Sequence, residues 1–299
     1  EERLKIELAN SHFLDLTPEE LAQFGTRLFD DTQRDIEDLL EGTDYDMGSY
    51  LTMLKRKQLT SKQINDFYRE YTEKAKRFLQ ENDLVRMDVE ESIQMRNIPA
   101  YSNRLYPFAA YRAPTLFGDQ NGFFFVNTHA KENMEEHTRP FMRSTVVHES
   151  YPGHHLQFSL ANILSRDRPS GWVRSLNESS AMYEGWAMYC EQLMIEEGLN
   201  KTKGDKFMLL RDRLWRALRV KIDVGFHTQG LSYDSARNQM VQELKFSPET
   251  AEADLDWYIE YPGVPLGYTT GWKMINLLRE YEQDRLGSKF SLPEFNNKV

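Results

Sequence analysis

Apolar residues along this chain recur mostly at helical spacing. Between about Ser61 and Gln80 the positions Ile64, Phe67, Tyr68, Tyr71, Ala75 and Phe78 form one stripe, as in a helix with a single buried face. Upstream, Thr17-Pro18-Glu19-Glu20 has the spacing of a capping box with proline at the first helical position. It opens an amphipathic helix that runs to about Leu40. From Met87 to Thr128 the pattern changes, and prolines, glycines and aromatics crowd together, as in Tyr106-Pro107-Phe108 and Tyr111-Arg112-Ala113-Pro114. Asn121-Gly122 is a turn signal, and Phe123-Phe124-Phe125-Val126 reads as a buried strand. After Arg139 the helical period returns. It predicts a helix over about Pro140–Leu164 bent at Pro152, followed by helices over Val173–Glu197, Lys203–His227, Ser235–Leu244, Pro248–Tyr258 and Gly267–Leu286. The expected fold is mainly α: one multi-helix domain over 1–299, with N-terminal helices over 1–86, a β and loop region over 87–128 holding a small antiparallel element, and a helical region over 139–299.

The bent helix carries the chemistry. His148-Glu149-Ser150-Tyr151-Pro152-Gly153-His154-His155-Leu156-Gln157 sets three imidazoles and a carboxylate within eight residues. This donor set suits a transition metal, zinc first. The pair His148-Glu149 also opens like the HExxH arrangement, whose glutamate is a hydrolase's base. The spacing departs from that arrangement, because the residue four after His148 is Pro152. In a straight helix His154 would lie roughly 9 Å further along the axis and point about 120° away, while His155 would lie roughly 10.5 Å along. Neither could share an ion with His148 at zinc–nitrogen distances of about 2 Å. Pro152 removes an amide hydrogen and clashes with the preceding turn, and Gly153 frees the backbone. Looping out two residues returns His154 to the position four after His148; His155 would need three. This favours His154 as ligand, with His155 behind it, and leaves His155 open as the alternative.

A third ligand is expected from the next helix. Glu178, Glu184 and Glu191 are on offer there. Glu184 sits among Ala181, Gly185, Trp186 and Ala187, where a carboxylate is costly to bury without a cation. Glu191 lies two turns on, on the same face, and can orient a ligand histidine. Downstream, Arg216 and Arg219 could hold a substrate carboxylate, and His227 could steady an oxyanion. Tyr261 or Tyr268, in the loop before the last long helix, could donate a hydrogen bond to a tetrahedral intermediate.

Composition narrows the choices. A net charge of −10 argues against nucleic acid as the partner. Cys190 is the chain's single cysteine, which excludes an internal disulfide and a cysteine-rich zinc site, so a metal here must use histidines and carboxylates. The chain holds no apolar run of about 18 residues, so no membrane span is expected. It begins Glu1-Glu2-Arg3-Leu4, and the expectation is a processed product or part of a longer protein, with its compartment and oligomeric state undetermined.

The metal segment resembles the bacterial domain-of-unknown-function 885 family, whose hallmark is HExxPGHHxQ. The likeness continues through Glu184-Gly185-Trp186-Ala187-Met188-Tyr189-Cys190-Glu191 (EGWAxYxE), Asp223-Val224-Gly225-Phe226-His227 (DxGxH), Tyr261-Pro262-Gly263 and Tyr268-Thr269-Thr270-Gly271 (YxxG). It spans about Thr145 to the end. The resemblance implies a mostly helical metallopeptidase, similar in style to gluzincins. By position it implies His148, His154 and Glu184 on zinc, Glu149 as base, and His227 and Tyr268 as further catalytic residues. Two departures stand out. The family's closing Phe-His-Asp is here Phe295-Asn296-Asn297, and family members run longer, which implies a further N-terminal helical portion. The expected activity is zinc-dependent hydrolysis of peptide bonds, of carboxypeptidase or dipeptidase type. The alternatives are a metal-dependent amidase acting on small N-acyl amino acids and a metal-binding module without catalysis.

Overall fold

The structure is a computed structural model that describes residues 2–12, 14–103, 108–129, 131–169, 171, 173 and 179–299. It is mainly helical. The N-terminal part contains α1 (Glu2–Asn10), α2 (Pro18–Leu40), α3 (Met47–Lys55) and α4 (Ser61–Asn82). The predicted capping box at Thr17 is present: the Glu20 amide donates to Thr17 Oγ1 at 3.2 Å and the Thr17 amide donates to Glu20 Oε2 at 2.8 Å. The stripe on α4 faces inward, with Ile64, Tyr68, Tyr71, Ala75 and Leu79 all buried.

Strands β1 (Ser92–Asn97), β2 (Ala109–Arg112) and β3 (Asn121–Val126) form a sheet of order β1–β3–β2. The expected antiparallel pairing exists between β2 and β3, and β1 adds a parallel edge, so the sheet is mixed. Asn121-Gly122 does not turn; it lies inside β3. A side chain at residue 122 would place its Cβ 2.6 Å from His155 Nδ1 and 2.8 Å from the Tyr111 ring. The glycine therefore serves a close approach rather than a hairpin.

Beyond the sheet come α5 (Lys131–Glu136), α6 (Arg139–Glu149), α7 (His154–Ser165), α8 (Ser180–Glu196), α9 (Lys203–Thr228), α10 (Tyr233–Leu244), α11 (Pro248–Glu260), α12 (Val264–Leu286) and α13 (Leu292–Lys298). The expected bent helix is two helices, α6 and α7, with residues 150–153 between them. Residues 174–178 of the helix expected from Val173, Glu178 among them, lie outside the described residues, as do Tyr106 and Pro107.

The core has distinct parts. One gathers α4, the sheet, α6, α8 and α13 around Tyr68, Phe124, Tyr151 and Tyr189. A second joins α2 and α3 to α9, α10 and α11 around Phe207, Ala217, Met240 and Tyr258. A small third part seats α1 on α2 and α9 through Leu8, Leu21 and Val220. α8 lies along α12, where Ala181, Gly185, Gly267 and Gly271 meet backbone to backbone. That contact fixes Glu184 on α8 beside Tyr268 on α12. Among the described residues no helix is long and apolar enough to cross a membrane.

Candidate metal centre

The break between α6 and α7 decides where the histidines point. α6 ends at Glu149, the Tyr151–Pro152 peptide is cis, and α7 begins at His154. The Gly153 amide donates back to the Val147 carbonyl at 3.0 Å, so the loop folds tightly against the end of α6. A Cβ at residue 153 would stand 1.9 Å from the His148 carbonyl oxygen and 2.3 Å from that of Val147, which only glycine avoids. Trp186 Nε1 donates to the Pro152 carbonyl at 2.9 Å and ties the loop to α8.

This fold brings His148, His154 and Glu184 together, each offering one donor atom, with those atoms within 4.8 Å of one another. His148 Nε2 is 3.2 Å from Glu184 Oε2, and His154 Nε2 is 3.4 Å from the same oxygen. Donors about 2.0–2.1 Å from a tetrahedral zinc stand roughly 3.3–3.4 Å apart, so these spacings suit such an ion. Two nitrogens and one oxygen are also the donor set of an open zinc site, which keeps a position for water or substrate. The residues present fit the group.

Charge at the cluster points the same way. Burial pushes the His148 imidazole down, but hydrogen bonds to Glu184 and Glu191 outweigh it and hold the group at about 10. Burial pushes the Glu184 carboxyl up, while the neighbouring His154 and hydrogen bonds from both histidines hold it well below the usual carboxylate range. The cluster thus demands positive charge. On the far side of His148, Nδ1 meets Glu191 Oε1 at 2.7 Å, and Ser144 Oγ donates to Glu191 Oε2 at 3.0 Å. This carboxylate–histidine pairing fixes the ring and leaves Nε2 for the cluster.

A cleft of 2630 Å³ opens on these residues, and His148, Glu149, His154, Glu184, Arg216, Arg219 and Tyr268 line it. Burial raises the Glu149 carboxyl above its ordinary value, opposed by the nearby His148 and His154 imidazoles. The Tyr268 ring stacks on that of His148, with centroids 6.4 Å apart. Burial raises its phenol well above the ordinary value, the Glu184 carboxylate adds to this, and Arg219 and Arg216 oppose it. Tyr268 is therefore a neutral donor at the cluster's edge.

The two arginines differ. Arg219 is engaged: its Nε donates to the Tyr258 hydroxyl at 3.0 Å, its Nη2 donates to Asp254 Oδ1 at 3.1 Å, and it lies 4.2 Å from the centre of the Trp215 ring. Arg216 stands between Glu191 at 3.6 Å and Asp212 at 3.7 Å, and its Nε and Nη1 have no hydrogen-bond partner. His227 does not line the cleft. It pairs with Asp223 Oδ1 at 3.3 Å, and Asp223 Oδ2 accepts the Gly263 amide at 3.0 Å, bracing the start of α12. His155 points away from the cluster. Its Nε2 donates to Glu91 Oε2 at 2.6 Å and its Nδ1 meets the Tyr111 hydroxyl at 3.0 Å. Glu91 and Tyr111 carried no signal in the sequence, since Glu90-Glu91 reads as a solvated pair and Tyr111 as one aromatic among many.

A family model described as "Bacterial protein of unknown function (DUF885)" matches residues 1–299. No curated protein matches the chain. Among solved structures it is similar to a "putative lipoprotein" from Colwellia psychrerythraea, with a TM-score of 0.88 and 22% identity, over 98% of this chain and 51% of that one. It is also similar to a "putative lipoprotein of unknown function" from Shewanella oneidensis, with a TM-score of 0.83 and 20% identity, over 99% of this chain and 56% of that one. At these identities the likeness is one of fold. The chain spans about half the length of the two structures.

Proposed function

The chain belongs to the DUF885 family, and from that premise we propose that it is a zinc-dependent hydrolase of peptide bonds. One observation carries the proposal: two imidazole nitrogens and a carboxylate oxygen converge at 3.2 and 3.4 Å on the floor of a wide cleft, with Glu149 beside them. His148, His154 and Glu184 would hold the ion. When bound, zinc supplies a Lewis acid that polarises a carbonyl and acidifies water.

The chain's own groups do the rest. Glu149, with its proton affinity raised by burial, accepts a proton from the attacking water and delivers it to the leaving amine. Tyr268 donates to the oxyanion of the tetrahedral intermediate, in place of His227. Glu191 keeps His148 oriented. Arg216, with its unpartnered Nε and Nη1, receives a substrate carboxylate, which gives a carboxypeptidase or dipeptidase type; Arg219 stacks behind Tyr268 and holds it in place. A small N-acyl amino acid is the alternative substrate. The apolar wall of the cleft, where Leu164, Met182, Met274 and Leu278 are exposed, favours an apolar acyl group on that side.

The test is hydrolysis of a peptide panel and an N-acyl amino acid panel by the purified protein, with and without chelator, beside E149Q. Chelation should abolish turnover. E149Q should retain zinc and lose roughly 10²–10⁴-fold in kcat. Turnover that survives both treatments would sink the proposal. R216Q should raise KM about 10- to 100-fold for a substrate with a free C-terminal carboxylate, relative to its amide. An equal change for both substrates would remove Arg216 from carboxylate recognition.

A further inference from the structure

We infer that Glu91 is the positioning residue that selects which of two adjacent histidines faces the metal site; the inference rests on the reading of His148, His154 and Glu184 as ligands. Glu91 lies just before β1, and its side chain is 2% exposed. None of the chemistry proposed above uses it. One of its oxygens, Oε2, accepts from His155 Nε2 at 2.6 Å and from the Tyr151 hydroxyl at 2.6 Å, and the other, Oε1, takes Lys76 Nζ at 2.6 Å. Tyr111 reaches the second nitrogen of His155 at 3.0 Å. Both ring nitrogens of His155 are thus engaged, and neither is left for an ion.

The helix turns this into selection. Successive residues on a helix point about 100° apart. Holding His155 on Glu91 therefore turns His154 to the other side of α7, where its Nε2 stands 3.4 Å from Glu184. The same carboxylate holds Tyr151, on the far side of Pro152 and Gly153, so Glu91 clamps both ends of the break. It also links the break to α4 through Lys76. Such a network is favourable only when every member is satisfied. A carboxylate accepts at both oxygens, whereas a glutamine at this position would set an amide N–H against a donor, and Lys76 cannot switch to accepting.

The experiment measures zinc affinity by chelator competition, and the absorption spectrum of the cobalt-loaded protein, for wild type and E91Q, with the unfolding midpoint of each metal-free protein. E91Q should bind zinc about 10- to 100-fold more weakly and show an altered cobalt spectrum. I36V, in the remote part of the core, should lower the midpoint without changing either. An E91Q protein with wild-type affinity and spectrum would overturn the inference, whatever its midpoint. Should E91Q fail to fold, Y111F carries the test: roughly 3- to 10-fold weaker zinc binding is expected, and unchanged binding overturns the inference. A wild-type protein that binds neither zinc nor cobalt would overturn the metal-centre reading itself, and this inference with it.

Discussion

Helices α2 and α4 and helices α8 and α9 obey different rules. The first pair shows one apolar face to the core and a charged face to water, and each begins with a capping box. The second pair is buried over most of its circumference. α8 buries Ala181, Trp186, Met188, Cys190, Glu191 and Met194, and α9 buries Arg211, Asp212, Arg216, Arg219 and Asp223 along with its apolar residues. The difference is where the charge goes. Along α2 and α4 it is mostly solvated and contributes little to stability, Lys76 on the buried Glu91 apart. On α8 and α9 Glu191, Arg216 and Arg219 are out of water beside the cleft, where burial demands charge partners. Stability is spread evenly in the first region and concentrated in a few exacting contacts in the second.

The largest effect that tests this contrast is G153A. The added methyl would meet two backbone carbonyl oxygens, at 1.9 and 2.3 Å, and neither can move without unwinding the end of α6. A loss of roughly 4 kcal/mol or more is expected, with zinc binding lost alongside it. The unfolding midpoint and the zinc content of the variant measure both. A variant that folds with normal stability and full zinc would mean that the break tolerates a side chain, and the contrast between the regions would fail at its sharpest point.

The two regions were also unequally legible. Periodicity located α2 and α4 because one-sided burial writes a 3.6-residue period into the sequence. Periodicity also marked α9 and α12, but it was silent on which of their polar residues are buried. At the cluster, spacing and backbone chemistry did the work: Pro152 and Gly153 implied the loop-out that brings His154, and not His155, beside His148. Glu184 stood out as a carboxylate among small apolar neighbours. What could not be read was contact between distant segments. Glu91 is 64 residues from His155, and no local pattern marks it as the partner. His227 misled for the opposite reason. It sits in a motif shared with the family, but its partner is Asp223 one turn back, and the pair serves the start of α12 from outside the cleft. Asn121-Gly122 carried a strong turn signal that tertiary contact overrode, because His155 and Tyr111 press on the strand there.

His137 packs against α4 of the first region and gives the next effect in size. Its Nδ1 meets the Tyr68 hydroxyl of α4 at 2.9 Å, and its Nε2 donates to the Asn127 carbonyl, at the end of β3, at 2.9 Å. Burial lowers the imidazole from 6.5 to about 4, against the hydrogen bond to Asn127 and the charge of Glu136. The sign follows from where the proton goes. At pH 7 the ring is neutral folded and unfolded, and contributes no pH dependence. Between pH 6.5 and 4 the unfolded chain takes up a proton that the folded protein refuses, so stability falls as pH falls. At about 1.4 kcal/mol per pH unit, the loss reaches on the order of 2–3 kcal/mol by pH 4. Urea unfolding of wild type and H137Q across this range measures it. The variant should be less stable at pH 7 and should lose less on acidification. Parallel curves would show that His137 is not the group that titrates.

The smallest effect isolates the first region. T17A removes the hydroxyl that accepts from the Glu20 amide at 3.2 Å, and with it the reciprocal geometry of the box, at an exposed helix end. Losing a cap of this kind costs about 1 kcal/mol, which is a shift of about 2 °C in a chain of this size. Zinc affinity and kcat/KM should not change, because no α2 residue lines the cleft, and the face that α2 packs on α9 is apolar but for Thr32. The value of the substitution lies in that null arm. A cap variant that weakened zinc binding would show that stability lost in the N-terminal helices is transmitted to His148 and its partners. The metal cluster would then be held by the whole fold rather than by the paired charges around it.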